Sequence, residues 1–312
     1  MDEDIYSVID NKADRTGATG TTPERPAFDK DEYAARKKAE REGAYAMIDA
    51  AARRITDDPV AFGDYLGIVS RFPNHSVSNT LLIFEQRPDA TRLADFDTWK
   101  RRGTPVRHGE GAIAILESGD EYTRDDGSIG VSINVRKVFD ERQTSARHKE
   151  PRHPEMREVL IALIDNPLAE IKAVDGLPEH LGNAVFDNDS KTVLVTKGLS
   201  EKQVFSALCT ELAHASLAKA DKGYMRQPNH ETALLAARVV LERFGVKGHG
   251  QVPVFSPSAE GGAAPDVKGG LERIRGAAKD IIGHVEGSLD KGRAQDAALQ
   301  AKTASRGDRD AR

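Results

Sequence analysis

The sequence predicts an α+β fold, and three observations carry that expectation. Apolar residues recur at helical spacing over long stretches, most clearly in the alanine-rich, charge-laced run from Asp29 to about Arg54. Two pairs of short segments alternate apolar with small or polar residues around Asp, Asn and Gly turns, the pattern of half-buried hairpin strands. Between the two sets lies R-Q-T-S-A-R-H-K-E-P-R-H-P, which has no apolar period and two prolines, and which marks a domain boundary.

The elements follow in order. Residues 1–28 are polar and rich in Thr, Gly, Asp and Pro, and read as a disordered arm. Tyr33, Tyr45, Ile48 and Ala52 give the first helix an apolar side, and D-D-P starts a second helix from Pro59 to about Phe72. Ser76 or Ser78 caps a third, bearing Leu81, Leu82 and Phe84, which R-P-D-A-T breaks. A short helix around Phe96 and Trp99 ends at Gly103. A-I-A-I-L-E and I-G-V-S-I-N-V-R-K-V-F are two strands joined around Asp125 to Gly127. This first domain spans 29–145, and residues 146–154 are a linker.

A second domain covers 155–246. Glu155 to Asp165 is helical, and A-V-F-D-N-D-S-K-T-V-L-V-T is a strand, a turn and a strand. Ser200 caps a helix reaching about Ala220, and Asn229 caps another that stops at Gly245. A Gly/Pro/Ser linker over 247–270, a C-terminal helix over 271–290 and a disordered tail over 291–312 complete the chain.

Composition narrows the function. The 312 residues hold 38% hydrophobic side chains, low for a chain packed throughout, and a net charge of −5. That charge is too small for a polyanionic DNA mimic and has the wrong sign for a uniformly basic surface, so any nucleic-acid contact uses a local patch. The lone Cys209 excludes an internal disulfide framework and suits a reducing cytoplasm. No apolar run is long enough to span a bilayer, so no membrane partner is expected and the localisation is cytoplasmic.

Chemistry concentrates in C-T-E-L-A-H, ending at His214. It is the zinc-helix pattern H-E-x-x-H with Thr210 in place of the first histidine. In the intact pattern two imidazoles one turn apart hold the metal and the glutamate activates its water, whereas a threonine hydroxyl is a poor zinc ligand. Val204, Leu208, Leu212 and Ala215 mark the buried side, with Glu211 and His214 at its edge. The next helix offers His230 or Glu231; Leu234, Ala237, Leu241 and Phe244 continue the face of His230, which is favoured as a ligand beside His214. Cys209 points about a hundred degrees from position 210. Alternatively Glu211 is a solvated carboxylate, His214 caps or packs, and His230 sits in a turn.

A second constellation is W-K-R-R-G-T-P-V-R-H-G-E-G. Lys100, Arg101, Arg102 and Arg107 beside Trp99, extended by Arg71, suit phosphates and a stacked base, as in sequence-tolerant single-strand binding. The plainer reading makes Trp99 a core anchor and the basic run a solvated face.

The stretch R-F-P-N-H-S-V-S-N-T-L-L-I-F-E-Q-R-P-D-A-T-R-L-A-D-F-D-T-W-K-R-R-G-T-P-V-R-H-G-E-G-A-I-A-I-L-E, followed by V-F-D-E-R-Q-T, closely resembles the N-terminal domain of ArdC-like antirestriction proteins, including the LtrC-like branch. The similarity runs from about Tyr33 to Thr144. It implies a single-stranded DNA-binding module carried on conjugative elements. G-N-A-V-F-D-N-D-S-K-T-V-L-V-T through C-T-E-L-A-H resembles the family's zincin-like metallopeptidase half. Relatives usually carry H-E-x-A-H there and an acidic E-x-E-A-E-S-x-A-type segment on the next helix. Here His230 stands at one family glutamate, with Thr232 and Leu234 at other acidic positions, so only Glu211 and His214 carry over.

The resemblance implies a mobile-element protein that binds single-stranded DNA, with host or conjugation proteins as further partners and an inactive zincin-like half. The alternative is a zinc peptidase with Glu211 as general base and His214 and His230 as ligands, zinc being its cofactor. A third reading is a scaffold using Leu271, Ile274, Ile281 and Ile282 as a contact side, unless that helix docks on its own domain.

Overall fold

The computed structural model describes residues 29–124, 126–147, 153–165, 168–246, 255 and 266–310. The expected N-terminal arm, the core of the 146–154 linker and most of the 247–270 linker lie outside the described residues. The chain divides into one unit ending at Ala39 and a second from Glu40 to Arg312. Of the first unit only 29–39 are described, and residues 30–39 are helical. The account below concerns the second.

The fold mixes helices with two small sheets. Helices α1 (Lys30–Asp57), α2 (Pro59–Arg71) and α3 (Val77–Gln86) come first. The Asp58 side chain accepts from Val60 N at the start of α2, and Ser76 Oγ, one of the two serines expected to cap, accepts from Asn79 N at the start of α3. Strand β1 (Leu93–Ala94), helix α4 (Phe96–Arg101) and the long strands β2 (Ile113–Thr123) and β3 (Ile129–Asp140) follow. They form an antiparallel sheet in the order β1-β3-β2.

Two amide side chains on α3 close the outer edge of this sheet. Asn79 donates to Leu116 O at 2.8 Å and accepts from Leu116 N at 2.7 Å. Two turns on, Gln86 does the same with Ala114 at 2.9 and 2.8 Å. The helix thus satisfies backbone groups of β2 that a further strand would otherwise pair. Asp140, fully buried at the end of β3, accepts from the backbone N–H groups of Thr91, Arg92 and Arg142 and so fixes the loop that precedes α4.

The second sheet lies between α5 (Met156–Asp165) and helices α6 (Glu201–Ala220) and α7 (Arg226–Arg243) in the chain. Its order is β4-β6-β5, with β4 (Glu170–Val174) parallel to β6 (Thr192–Thr196) and β5 (Ala184–Asp187) antiparallel to it. The β5–β6 hairpin matches expectation; β4 and β1 were not anticipated. The alternation of β4, E-I-K-A-V, is brief and punctuated by charge, and β1 is only two residues long, so pairing with a distant strand defines both.

Helix α7 begins at Arg226, earlier than the Asn229 cap expected, and Asn229 is a buried residue of its first turn that donates to Met225 O. Pro228 is tolerated there because first-turn N–H groups lack helical partners. Gly245, with φ of 74°, ends this helix as expected, and Gly103, with φ of 72°, follows α4.

Helix α8 (Val267–Asp310) continues through residues expected as a tail, whose alanine content favours helix. Leu271, Ile274, Ile281 and Ile282 are buried, and the helix packs against α3, α5, α6 and α7 rather than offering that side to a partner. Helix α2 also packs on α7, so buried residues from both expected domains join in one continuous core. Among the described residues no helix is long and apolar enough to cross a membrane.

Replacing Asn79 with leucine removes both amide contacts and leaves the Leu116 N–H and C=O without their partner. Stability is expected to fall by about 2–3 kcal/mol, read as a lower urea midpoint with an unchanged denaturant slope.

Candidate functional site

Helix α6 supplies the first half of the site. The Gln203 side-chain oxygen accepts from Ser200 N and Ser200 Oγ, which holds the helix start. The expected buried stripe widens into burial around most of the middle of the helix, from Leu208 and Cys209 to Leu217, with Thr210 half-buried. Thr210 Oγ1 turns back to Ser206 O at 3.4 Å, a contact within its own helix. Cys209 is fully buried, and burial pushes its thiol well above the usual range, so it offers no thiolate.

Glu211 is 4% exposed and is no solvated carboxylate. Its Oε2 accepts from Phe186 N of β5 at 2.7 Å and from Arg226 Nη1 at 2.7 Å, while Oε1 accepts from Arg226 Nη2 at 2.8 Å. The two parallel guanidinium bonds are the strong, geometrically specific form of this contact. Arg226 is the first residue of α7, where a cation opposes the helix dipole. The buried carboxylate offsets that opposition. Sequence reading missed Arg226; an arginine opening a helix that has no acidic residue in its first turn was the available signal.

His214 and His230 meet, as the spacing of their helices suggested. His214 Nε2 lies 3.0 Å from His230 Nδ1, with the rings nearly parallel, and Tyr224 Oη lies 2.7 Å from His214 Nδ1. Burial, then the positive charges of Arg226 and His230, push the His214 imidazole down to about 3, so it is neutral at ordinary pH. Burial holds the Tyr224 hydroxyl protonated, pushed up to about 12. A proton on Tyr224 Oη directed at Nδ1 leaves the hydrogen of neutral His214 on Nε2, pointing at His230 Nδ1. His230 itself is exposed and lines a cleft of about 720 Å³ with Thr210, Glu211, Arg226 and Asn183. Of the apolar face expected for α7, Ala237, Leu241 and Phe244 are buried and Leu234 is exposed, and burial extends further to Ala233, Ala236 and Val240.

This donor set does not fit a divalent ion. Three donors converging on one point are needed, and no group of three His, Cys, Asp or Glu side chains meets that condition among the described residues. Both Glu211 oxygens are committed to Arg226, and the His214 nitrogen that would face a metal carries a hydrogen bond to His230. A guanidinium at the site also adds positive charge where an incoming cation would sit.

The basic constellation separates into two groups. Lys100, Arg101 and Arg102 are exposed at the end of α4. Trp99 is 1% exposed, donates from Nε1 to Phe139 O at 2.9 Å and carries the Arg102 guanidinium 5.1 Å from its ring, which makes it a core anchor. The exposed aromatic of this helix is Phe96, 50% accessible and one turn before Lys100. Hydrogen bonds from Thr98 and then the Arg136 guanidinium hold the capping carboxyl of Asp95 down to about 2.

Arg107 is engaged elsewhere, donating to Glu110, Thr144 O and Arg142 O. Arg71 donates to Pro88 O at 2.6 Å and lines a groove with Glu242 and Arg238 between α2 and α7. Burial foremost lowers its pKa. Among the described residues no hydrogen bond joins Arg71 or Arg107 to the side chains of α4.

No family model matches the chain, and no curated protein matches it. Among solved structures, it is similar to the metal-free antirestriction protein ArdC from plasmid R388, at 14% identity over 70% of this chain and 85% of that one, with a TM-score of 0.39. The Mn(II)-bound structure of the same protein is similar at 13% identity over 68% and 84% of the two chains, with a TM-score of 0.42.

The buried His214 gives stability a pH dependence of defined sign. Unfolded it titrates near its ordinary 6.5 and folded near about 3, so between those values the unfolded chain binds more protons. Stability is full above pH 6.5 and falls as pH drops below it. Urea midpoints measured from pH 7.5 to 5 should decline, and His214→Asn should make the decline shallower, leaving the part due to half-buried His75, whose pKa desolvation also lowers.

Proposed function

We propose that this chain is a mobile-element protein of the antirestriction or conjugation type that binds single-stranded DNA through α4, with a second half built on a zincin-like helix pair that has lost its metal chemistry. The observation that carries the reading is the exposed surface of α4, where Phe96 stands one turn before Lys100 and Arg101 and Arg102 are exposed at the helix end. An aromatic face stacks any base and neighbouring cations take the phosphates, so such a surface binds strands with little regard to sequence. The buried Trp99 and the Asp95 cap hold this short helix, which presents the surface on a fixed support. The resemblance of residues 33–144 to the antirestriction family points the same way, and a cytoplasmic setting with a host or conjugation partner belongs to the same reading.

Arg71 and Arg107 act in this reading as supports. Their guanidinium groups hold the loop before α4 and the turn after β3, so replacing them should disturb structure before affinity. The peptidase alternative has Glu211 as base and His214 and His230 as zinc ligands. It is not favoured, because an activating base must accept a proton from water and Glu211 already accepts three hydrogen bonds.

Fluorescence anisotropy with a labelled oligothymidylate tests the DNA reading. The wild-type protein should bind at low salt, with affinity falling steeply as salt rises. Lys100→Ala with Arg101→Ala should reduce the salt slope by about 1.4, from about 0.7 per lost phosphate contact on a single strand. Phe96→Ala should weaken binding about tenfold or more with little change in slope. Absence of binding at low salt would overturn the reading.

A further inference from the structure

Within the zincin-like reading, the loss of the histidine at position 210 leaves a buried carboxylate that needs a counter-charge. Glu211 is 4% exposed and its oxygens are filled by the Arg226 guanidinium and the Phe186 N–H. These contacts join α6, the start of α7 and strand β5, three elements that also line the cleft. His214 and His230 close on each other beside this pair. We infer that the Arg226 guanidinium is the internal cation that has replaced a metal ion as the cross-link of this cleft, and that it excludes metal independently of the threonine at 210.

Three features support the assignment. Arg226 occupies the first position of a helix, where a positive charge is unfavourable unless a specific anion holds it. Its bonding to Glu211 is bidentate and short, which is selective for arginine over lysine. Arg226 occupies both Glu211 oxygens, and His214 Nε2 is taken by His230, so a divalent ion would meet a guanidinium and occupied donors where it needs free ones. Restoring an imidazole at 210 therefore removes only one of two barriers. Arg226 is a positioning residue in this account, and its effect is read through metal binding.

The test uses the full chain with zinc alone as the probe, measured as zinc retained after dialysis and as a shift in melting temperature. Thr210→His by itself is expected to retain no stoichiometric zinc. Thr210→His with Arg226→Met is expected to retain one equivalent and to melt at a higher temperature with zinc than without it. Arg226→Met alone should melt below wild type, and adding Glu211→Gln to it should recover much of the loss, because the orphaned carboxylate is then removed.

Should the combined 210/226 variant fail to fold without metal, Thr210→His with Arg226→Gln, which keeps a polar donor, serves in its place with the same expectation. One equivalent of zinc bound by Thr210→His alone would overturn the arginine lock while upholding the zincin-like reading. A folded double variant that binds no zinc would overturn both, and neither result bears on the oligonucleotide measurements.

Discussion

A carboxylate held out of water requires compensation, and around Glu211 that requirement organises the second half of the molecule. The bidentate bond from Arg226 fixes where α7 begins, and the Phe186 N–H aligns β5 against α6. Leaving the buried Glu211 carboxylate without its partner costs about 3–5 kcal/mol, far more than such a pair contributes over an apolar replacement. Its value lies in register: the pair admits one arrangement of three elements. The contact of His214 with His230 follows from that arrangement, since both rings project from the helices that the pair brings together.

Much of the architecture was legible from local pattern. Asp58, Ser76, Gly103 and Gly245 marked helix ends correctly, because caps and left-handed termini depend on a few neighbouring residues. The long β2–β3 hairpin showed itself by alternation and a Gly turn. What escaped notice depended on distant partners. Strand β4 exists by parallel pairing with β6 across more than twenty intervening positions, and β1 by two residues paired with the end of β3. The early start of α7 was hidden because Arg226 is a poor opening residue until Glu211 is in place.

The candidate site was legible in part and for similar reasons. Helical spacing brought His214 and His230 to each other, and of the face expected beside His230 only Leu234 lies exposed while Ala237, Leu241 and Phe244 are buried. Spacing could not reveal that Glu211 would be consumed by a residue fifteen positions away. On α4 Trp99 takes the core place that was the plainer of its two readings, with its indole N–H on the Phe139 carbonyl, and Phe96 three residues earlier is the exposed aromatic that the sequence did not single out for this role.

Because α2 rests on α7 and α3 on α8, the surface-bearing half and the cleft-bearing half share one interior. Excising the cleft-bearing half would strip cover from α2 and α3, which carry Phe62, Leu66, Leu81 and Phe84 in that interior. Damage at the arginine–glutamate clasp is therefore expected to loosen both halves together, since each forms a wall of the other's interior.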